Sequence, residues 1–146
     1  MFAIDTCDRE AMRYLASTGG ISAQNVQDLL IETKEYRFGS PKAPHTVKWL
    51  TDNGKCFTAK AAVDLARSLG FDVRTTPAYS PQSNEVAEAF VKTFKRDYVW
   101  FGDISNAEAV MKQLPFWFED YYNNPPHKGL GMQSPREFLN KLKLAS

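Results

Sequence analysis

The sequence predicts an α/β domain, and three observations carry that prediction. Val47–Thr51 (Val-Lys-Trp-Leu-Thr) is rich in β-branched and aromatic residues and is broken at once by Asn53-Gly54, as a strand would be. Ala62, Val63, Leu65, Ala66 and Leu69 then recur at helical spacing, and Phe71–Thr75 returns to a strand pattern. A strand, a helix and a strand joined by so long a connection form a parallel βαβ crossover, because parallel strands need a covering element between them.

The remaining elements follow in chain order. Phe2-Ala3-Ile4 and Arg13-Tyr14-Leu15-Ala16 are short strand-like segments, and Gly19-Gly20 marks a turn. Ser22 caps a helix carrying Asn25, Val26, Leu29, Leu30 and Ile31, which ends near Arg37-Phe38-Gly39. A loop with Pro41 and Pro44 leads to the strand before Asp52, Thr58 begins the crossover helix, and Gly70 closes it. After a loop over residues 77–83, a longer helix sets Val86, Phe90, Phe94 and Tyr98 on one stripe. A helix over about residues 107–122 and a short one after Ser134-Pro135 complete the chain, with proline in the favoured first turn.

At 146 residues, 43% hydrophobic and 13% aromatic, the chain can bury a core, and one globular domain over residues 1–146 is expected. No apolar run approaches the roughly 18 residues of a membrane span, and Met1-Phe2-Ala3-Ile4 meets an acid too early for a signal peptide, so a cytoplasmic location is expected. Cys7 and Cys56 have no second cysteine or histidine at ligand spacing; they predict neither disulfide nor zinc site, and are expected to be buried or unreactive thiols. A net charge of +1 means that any nucleic-acid contact must come from a local patch.

Asp52 and Glu88 are the candidate catalytic and metal-binding residues, 35 residues apart. Asp52 stands at a strand's C-terminal lip, and Glu88 in the first turns of the helix that follows the proline-containing loop. Spacing alone is weak, since Asp72 and Glu108 share it. An Asp opening an Asn-Gly turn and a solvated acid near a helix N-terminus are the ordinary readings of the two residues.

The flanks decide. Leu50-Thr-Asp-Asn-Gly54 and Tyr79-Ser-Pro-Gln-Ser-Asn-Glu-Val-Ala-Glu-Ala-Phe90 closely resemble the integrase core of bacterial insertion-sequence transposases, relatives of the retroviral integrases. The resemblance extends through Phe2-Ala-Ile-Asp5-Thr-Cys-Asp-Arg9-Glu, Lys92-Thr-Phe-Lys-Arg-Asp-Tyr98 and Tyr122-Asn-Asn-Pro-Pro-His127-Lys-Gly-Leu-Gly131-Met-Gln-Ser-Pro135-Arg-Glu-Phe138, nearly the whole chain.

The resemblance implies a ribonuclease-H-like fold, with Asp52 and Glu88 matching the second Asp and the Glu of a DDE triad. It further implies Mg²⁺ or Mn²⁺, a two-metal site in the complete domain, and DNA as partner: water attacks at the transposon end, and the freed 3′-hydroxyl attacks target DNA. The first Asp of the triad is expected on the first core strand, yet residues 2–9 match the second. The chain is therefore expected to be an N-terminally truncated core without the first central strand, prone to self-association or to pairing with missing transposase segments, and incomplete in catalysis. Asp5 or Glu85, the latter where the family usually has Gly, would have to replace the missing acid.

Lys92 and Lys95, four and seven residues after Glu88, share its side of the helix and are candidate DNA contacts, the alternative being a solvated face with a Glu88 and Lys92 ion pair. Tyr79, Ser80, Gln82 and Asn84 either position DNA or only connect two elements. His127 is expected to order the C-terminal turn, and Trp49, Phe116, Trp117, Phe118, Tyr121 and Tyr122 to pack in a core or against a partner, with a base-stacking platform as the alternative. Three functions compete: a DDE transposase or integrase domain, a non-catalytic remnant that binds DNA ends or a transposase partner, and a general metal nuclease of the same fold.

Overall fold

The computed structural model describes residues 1–76 and 84–146. Its elements run β1 (Phe2–Ile4), β2 (Ala11–Tyr14), α1 (Ala23–Phe38), β3 (Val47–Thr51), α2 (Lys55–Thr58), α3 (Lys60–Ser68), β4 (Phe71–Thr75), α4 (Glu85–Asp97), α5 (Ala107–Asn123) and α6 (Pro135–Ala145). The chain divides into two compact units, Met1–Ala3 with Met12–Asn84, and Ile4–Ala11 with Glu85–Ser146. The predicted loop over residues 77–83 lies outside the described residues.

In the first unit β3 and β4 pair in parallel, from Val47 opposite Phe71 to Thr51 opposite Thr75, as the crossover pattern predicts. The described strands form two separate two-stranded sheets, β1 with β2 and β3 with β4. The core gathers Val26 and Leu30 of α1, Ala62 and Ala66 of α3, and Phe71, all at most 5% exposed. The two alanines leave room for α1 to approach, and the Trp49 and Phe71 rings lie 5.2 Å apart. Ser22 and Asn25 form a reciprocal capping box at the start of α1. Gly39 ends α1 in the left-handed conformation (φ 59°), donating its N–H to the Glu35 carbonyl at 2.9 Å.

Two boundaries differ from the sequence reading. The crossover helix begins at Lys60 rather than Thr58, because the N–H groups of Phe57 and Thr58 already donate to the Gly54 carbonyl at 3.0 and 3.1 Å, closing α2 as a separate turn. Ala59 is extended between the two helices. β2 covers residues 11–14 instead of 13–16, since Met1 and Leu15 exchange backbone hydrogen bonds at 3.0 and 2.8 Å and the ladder ends at that pair.

The second unit is built on aromatic rings. Phe90 and Phe94 of α4 are buried, as is Tyr121 of α5, and Phe90 meets Tyr121 edge-on at 4.9 Å while Phe94 packs on Phe118 at 4.7 Å. Tyr98 donates its hydroxyl to Asp120 at 2.7 Å. Burial first, then the neighbouring Asp120 carboxylate, pushes that phenol far above its ordinary range. Ser134 and Glu137 cap α6 reciprocally behind Pro135, as the Ser-Pro signal predicts. Packing holds for Phe118 and Tyr121 but fails for Phe116, which is 77% exposed on α5. Cys7 is exposed in the turn between β1 and β2, so of the two settings expected for its thiol, buried or unreactive, burial does not hold.

Candidate active site

Asp52 is the residue directly after β3 in the first unit, exposed to solvent. Its Oδ1 accepts the Gly54 N–H at 2.7 Å, an Asx turn that orients the carboxylate at the strand end. Gly54 keeps that space open: a Cβ would lie 2.9 Å from Asp52 Oδ1 and 3.2 Å from the Phe57 ring, so a larger residue would displace the carboxylate. Asn53 fixes the next position by donating its side-chain amide to the Thr76 carbonyl at 2.9 Å, which ties the lip of β3 to the end of β4. The Asp-Asn-Gly sequence thus locks the backbone beneath an open carboxylate.

Glu88 belongs to the second unit, exposed in the first turn of α4. The burial of Phe90 and Phe94 on the core side sets the register that turns it outward. Lys92 and Lys95 are exposed on the same helix, one and two turns on, and Glu88 forms no ion pair with Lys92 among the described residues. Arg96 is committed elsewhere, its Nη2 donating to Asp97 at 2.8 Å and holding that carboxyl below its usual range. Of the four candidates, the structure brings Glu88, Lys92 and Lys95 together on α4 and places Asp52 in the other unit.

The acids that share the spacing are engaged in ordinary surface pairs, Asp72 with Arg74 at 2.8 Å and Glu108 with Lys112 at 2.7 Å. Asp5 is spent on its turn: its Oδ1 accepts the Cys7 and Asp8 N–H groups at 2.7 and 3.3 Å. Glu85 opens α4, consistent with a helix-start acid. Among the described residues no group of three or more His, Cys, Asp and Glu side chains is placed to hold a metal ion. Asp52 and Glu88 nevertheless supply the hard oxygen donors that Mg²⁺ and Mn²⁺ prefer.

A feature that motif reading did not single out is a cleft of about 290 Å³ within the second unit. Arg9 from the β1–β2 turn, Glu85, Val86, Ala89 and Thr93 from α4, and His127, Lys128 and Gly129 line it, with Phe90 and Tyr121 among its walls. His127 orders the C-terminal turn as expected, exchanging backbone contacts with Gln133 and Met132, and its ring meets Tyr121 edge-on at 5.1 Å. Arg9 and Lys128 lie inside the matching flanks, but neither carries a spacing signal of its own.

An integrase core domain model matches residues 1–81, and a second integrase core domain model matches residues 69–135. The putative transposase InsD for insertion element IS2E of Escherichia coli (strain K12) is 43% identical over 140 residues, covering 96% of this chain and 64% of that protein. The transposase InsD for insertion element IS2A/D/F/H/I/K of Escherichia coli is also 43% identical over 140 residues, covering 96% of this chain and 46% of that protein. The chain therefore spans less than two thirds of the length of these curated relatives. Among solved structures, the catalytic core domain of BIV integrase in crystal form I aligns with a TM-score of 0.62 and 22% identity over 85% of this chain and 75% of that one. That likeness establishes the α/β fold of an integrase catalytic core.

Proposed function

The chain belongs to the integrase core family, and from that premise we propose that it is the catalytic domain of a DDE-type transposase or integrase, acting in DNA cleavage and strand transfer. The observation that carries this reading is Asp52, an exposed carboxylate held at the end of a parallel strand by the Asp-Asn-Gly turn, inside the family-matched segment. DNA ends and target DNA are the proposed substrates.

Asp52 and Glu88 are the proposed metal ligands, and their mutual repulsion when close is what a divalent cation would neutralise. Bound there, Mg²⁺ or Mn²⁺ would polarise the phosphoryl group and stabilise the attacking and leaving oxygens. The protein's own contribution is orientation: the Gly54 N–H fixes Asp52, the aromatic face of α4 fixes Glu88, and Lys92 and Lys95 offer cations to the DNA phosphates. Self-association is proposed as well, because Trp100, Phe101 and Phe116 are each more than 70% exposed in the second unit.

A labelled oligonucleotide carrying an insertion-element end, incubated with Mn²⁺, tests the reading. Asp52→Asn and Glu88→Gln are each expected to lower nicking at least about 100-fold while DNA binding persists. Equal nicking by Asp52→Asn and the parent would refute the assignment. A second reading, a remnant that binds DNA ends or a transposase partner without catalysis, is favoured by the lack of a three-ligand group among the described residues. DNA binding without Mn²⁺-dependent nicking by the parent would select it.

A further inference from the structure

The cleft of the second unit has a composition that the proposed catalytic residues do not explain. Asp52, Glu88, Lys92 and Lys95 are all absent from its lining, whereas Arg9, His127 and Lys128 converge on it from two separate segments. Arg9 is held there by an uncommon backbone: its φ is 63°, and its N–H donates to the Asp5 carbonyl at 3.0 Å, closing the turn that aims the side chain. Among the described residues no carboxylate pairs with the Arg9 guanidinium. Its Nη2 and Nε would lie 3.6 and 3.8 Å from a Cβ on Gly129, so glycine leaves the fork uncovered on that side. His127 lines the same cleft, and its Nε2 is buried with no hydrogen-bond partner among the described residues, a state that costs stability.

From this arrangement we infer that the cleft lined by Arg9, His127 and Lys128 binds one phosphodiester of a DNA strand, at a subsite separate from the proposed metal ligands. Guanidinium and ammonium groups supply fork and point-charge donors for phosphate oxygens. Ile4, Val86 and Ala89 supply the apolar wall that the adjoining sugar requires. The volume, about 290 Å³, sits at the lower end of small-molecule sites, so it admits a single nucleotide unit and excludes a duplex. Glu85 stands against the anion from the same cleft, and its charge sets the affinity below what the Arg9 and Lys128 cations would otherwise allow.

The choice of DNA as the source of the phosphate rests on the functional reading above; the anion site itself does not. Binding is measured by fluorescence anisotropy in EDTA, with an oligonucleotide duplex bearing an unpaired 3′ overhang and, separately, with inorganic phosphate as competitor. Arg9→Gln and Lys128→Gln are each expected to weaken overhang binding about tenfold and to lower the salt slope by about one. Glu85→Gln is expected to strengthen it several-fold. Unchanged affinity and slope in both cation variants would overturn the inference, and if Arg9→Gln fails to fold, the exposed Lys128 decides it alone. Binding of inorganic phosphate without competition against the overhang would overturn DNA as the source. Because the assay contains no metal, failure here leaves the Asp52→Asn nicking result untouched, and the reverse is equally true.

Discussion

At the scale of single residues, Asp52 and His127 show how local chemistry separates exposed from buried polar groups. The Asp52 carboxylate keeps its solvent contact and spends one oxygen on the Gly54 N–H. His127 is half-buried, and burial first and then the Arg9 charge push its imidazole below the usual histidine range. A group with a lowered folded-state value takes up its proton more readily in the unfolded chain. The stability tied to the neutral ring is therefore complete above the unfolded value of about 6.5 and lost as pH falls through the lower folded value. Thermal melts are expected to fall with acidification below about pH 6.5 in the parent and to flatten over that window in His127→Gln. A parallel decline in both proteins would assign the acid sensitivity to other groups. The Asp-Asn-Gly turn and the cap residues Ser22 and Ser134 were legible from residue type alone, because their hydrogen bonds run to backbone only two or three positions away.

At the scale of elements, helical spacing located α1 and α4, the Ser-Pro signal located α6, and β-branched and aromatic content located both strands of the crossover, since each of these signals is local to its segment. What periodicity could not place was the break at Ala59, which depends on the Gly54 carbonyl having already captured the Phe57 and Thr58 N–H groups. The aromatic run on α5 was ambiguous for a related reason. Consecutive aromatic residues point in different directions around a helix, and only the neighbouring α4 selects Tyr121 for burial and Phe118 for ring packing while Phe116 stays exposed. The capping of α6 is open to direct measurement. Ser134→Ala removes the acceptor for the Glu137 N–H, and a loss of about 1 kcal/mol by urea denaturation is expected. A change too small to resolve would mean that Pro135 and the packing of α6 set that boundary without the hydroxyl.

At the scale of the whole molecule, the charge balance constrains how DNA can be held. With 18 Lys and Arg against 17 Asp and Glu, no general positive field exists, and attraction must come from small groups such as Lys92 with Lys95 or Arg9 with Lys128. The slope of log K against log salt on duplex DNA is accordingly expected to be shallow, about −3 or less in magnitude. A steep slope would imply a phosphate-binding surface much larger than these pairs. No helix among the described residues is long and apolar enough to cross a membrane.

The sequence by itself determined the family, the α/β class, the parallel crossover and the exposed settings of Asp52 and Glu88, because strand and helix periods, turn residues and motif flanks are local properties of the chain. Only the tertiary structure decided which aromatic rings form a core and that Arg9 meets His127 and Lys128 at one cleft. Arg9 lies more than a hundred positions from His127 and Lys128, and no local period or turn signal records a meeting made by the packing of distant segments.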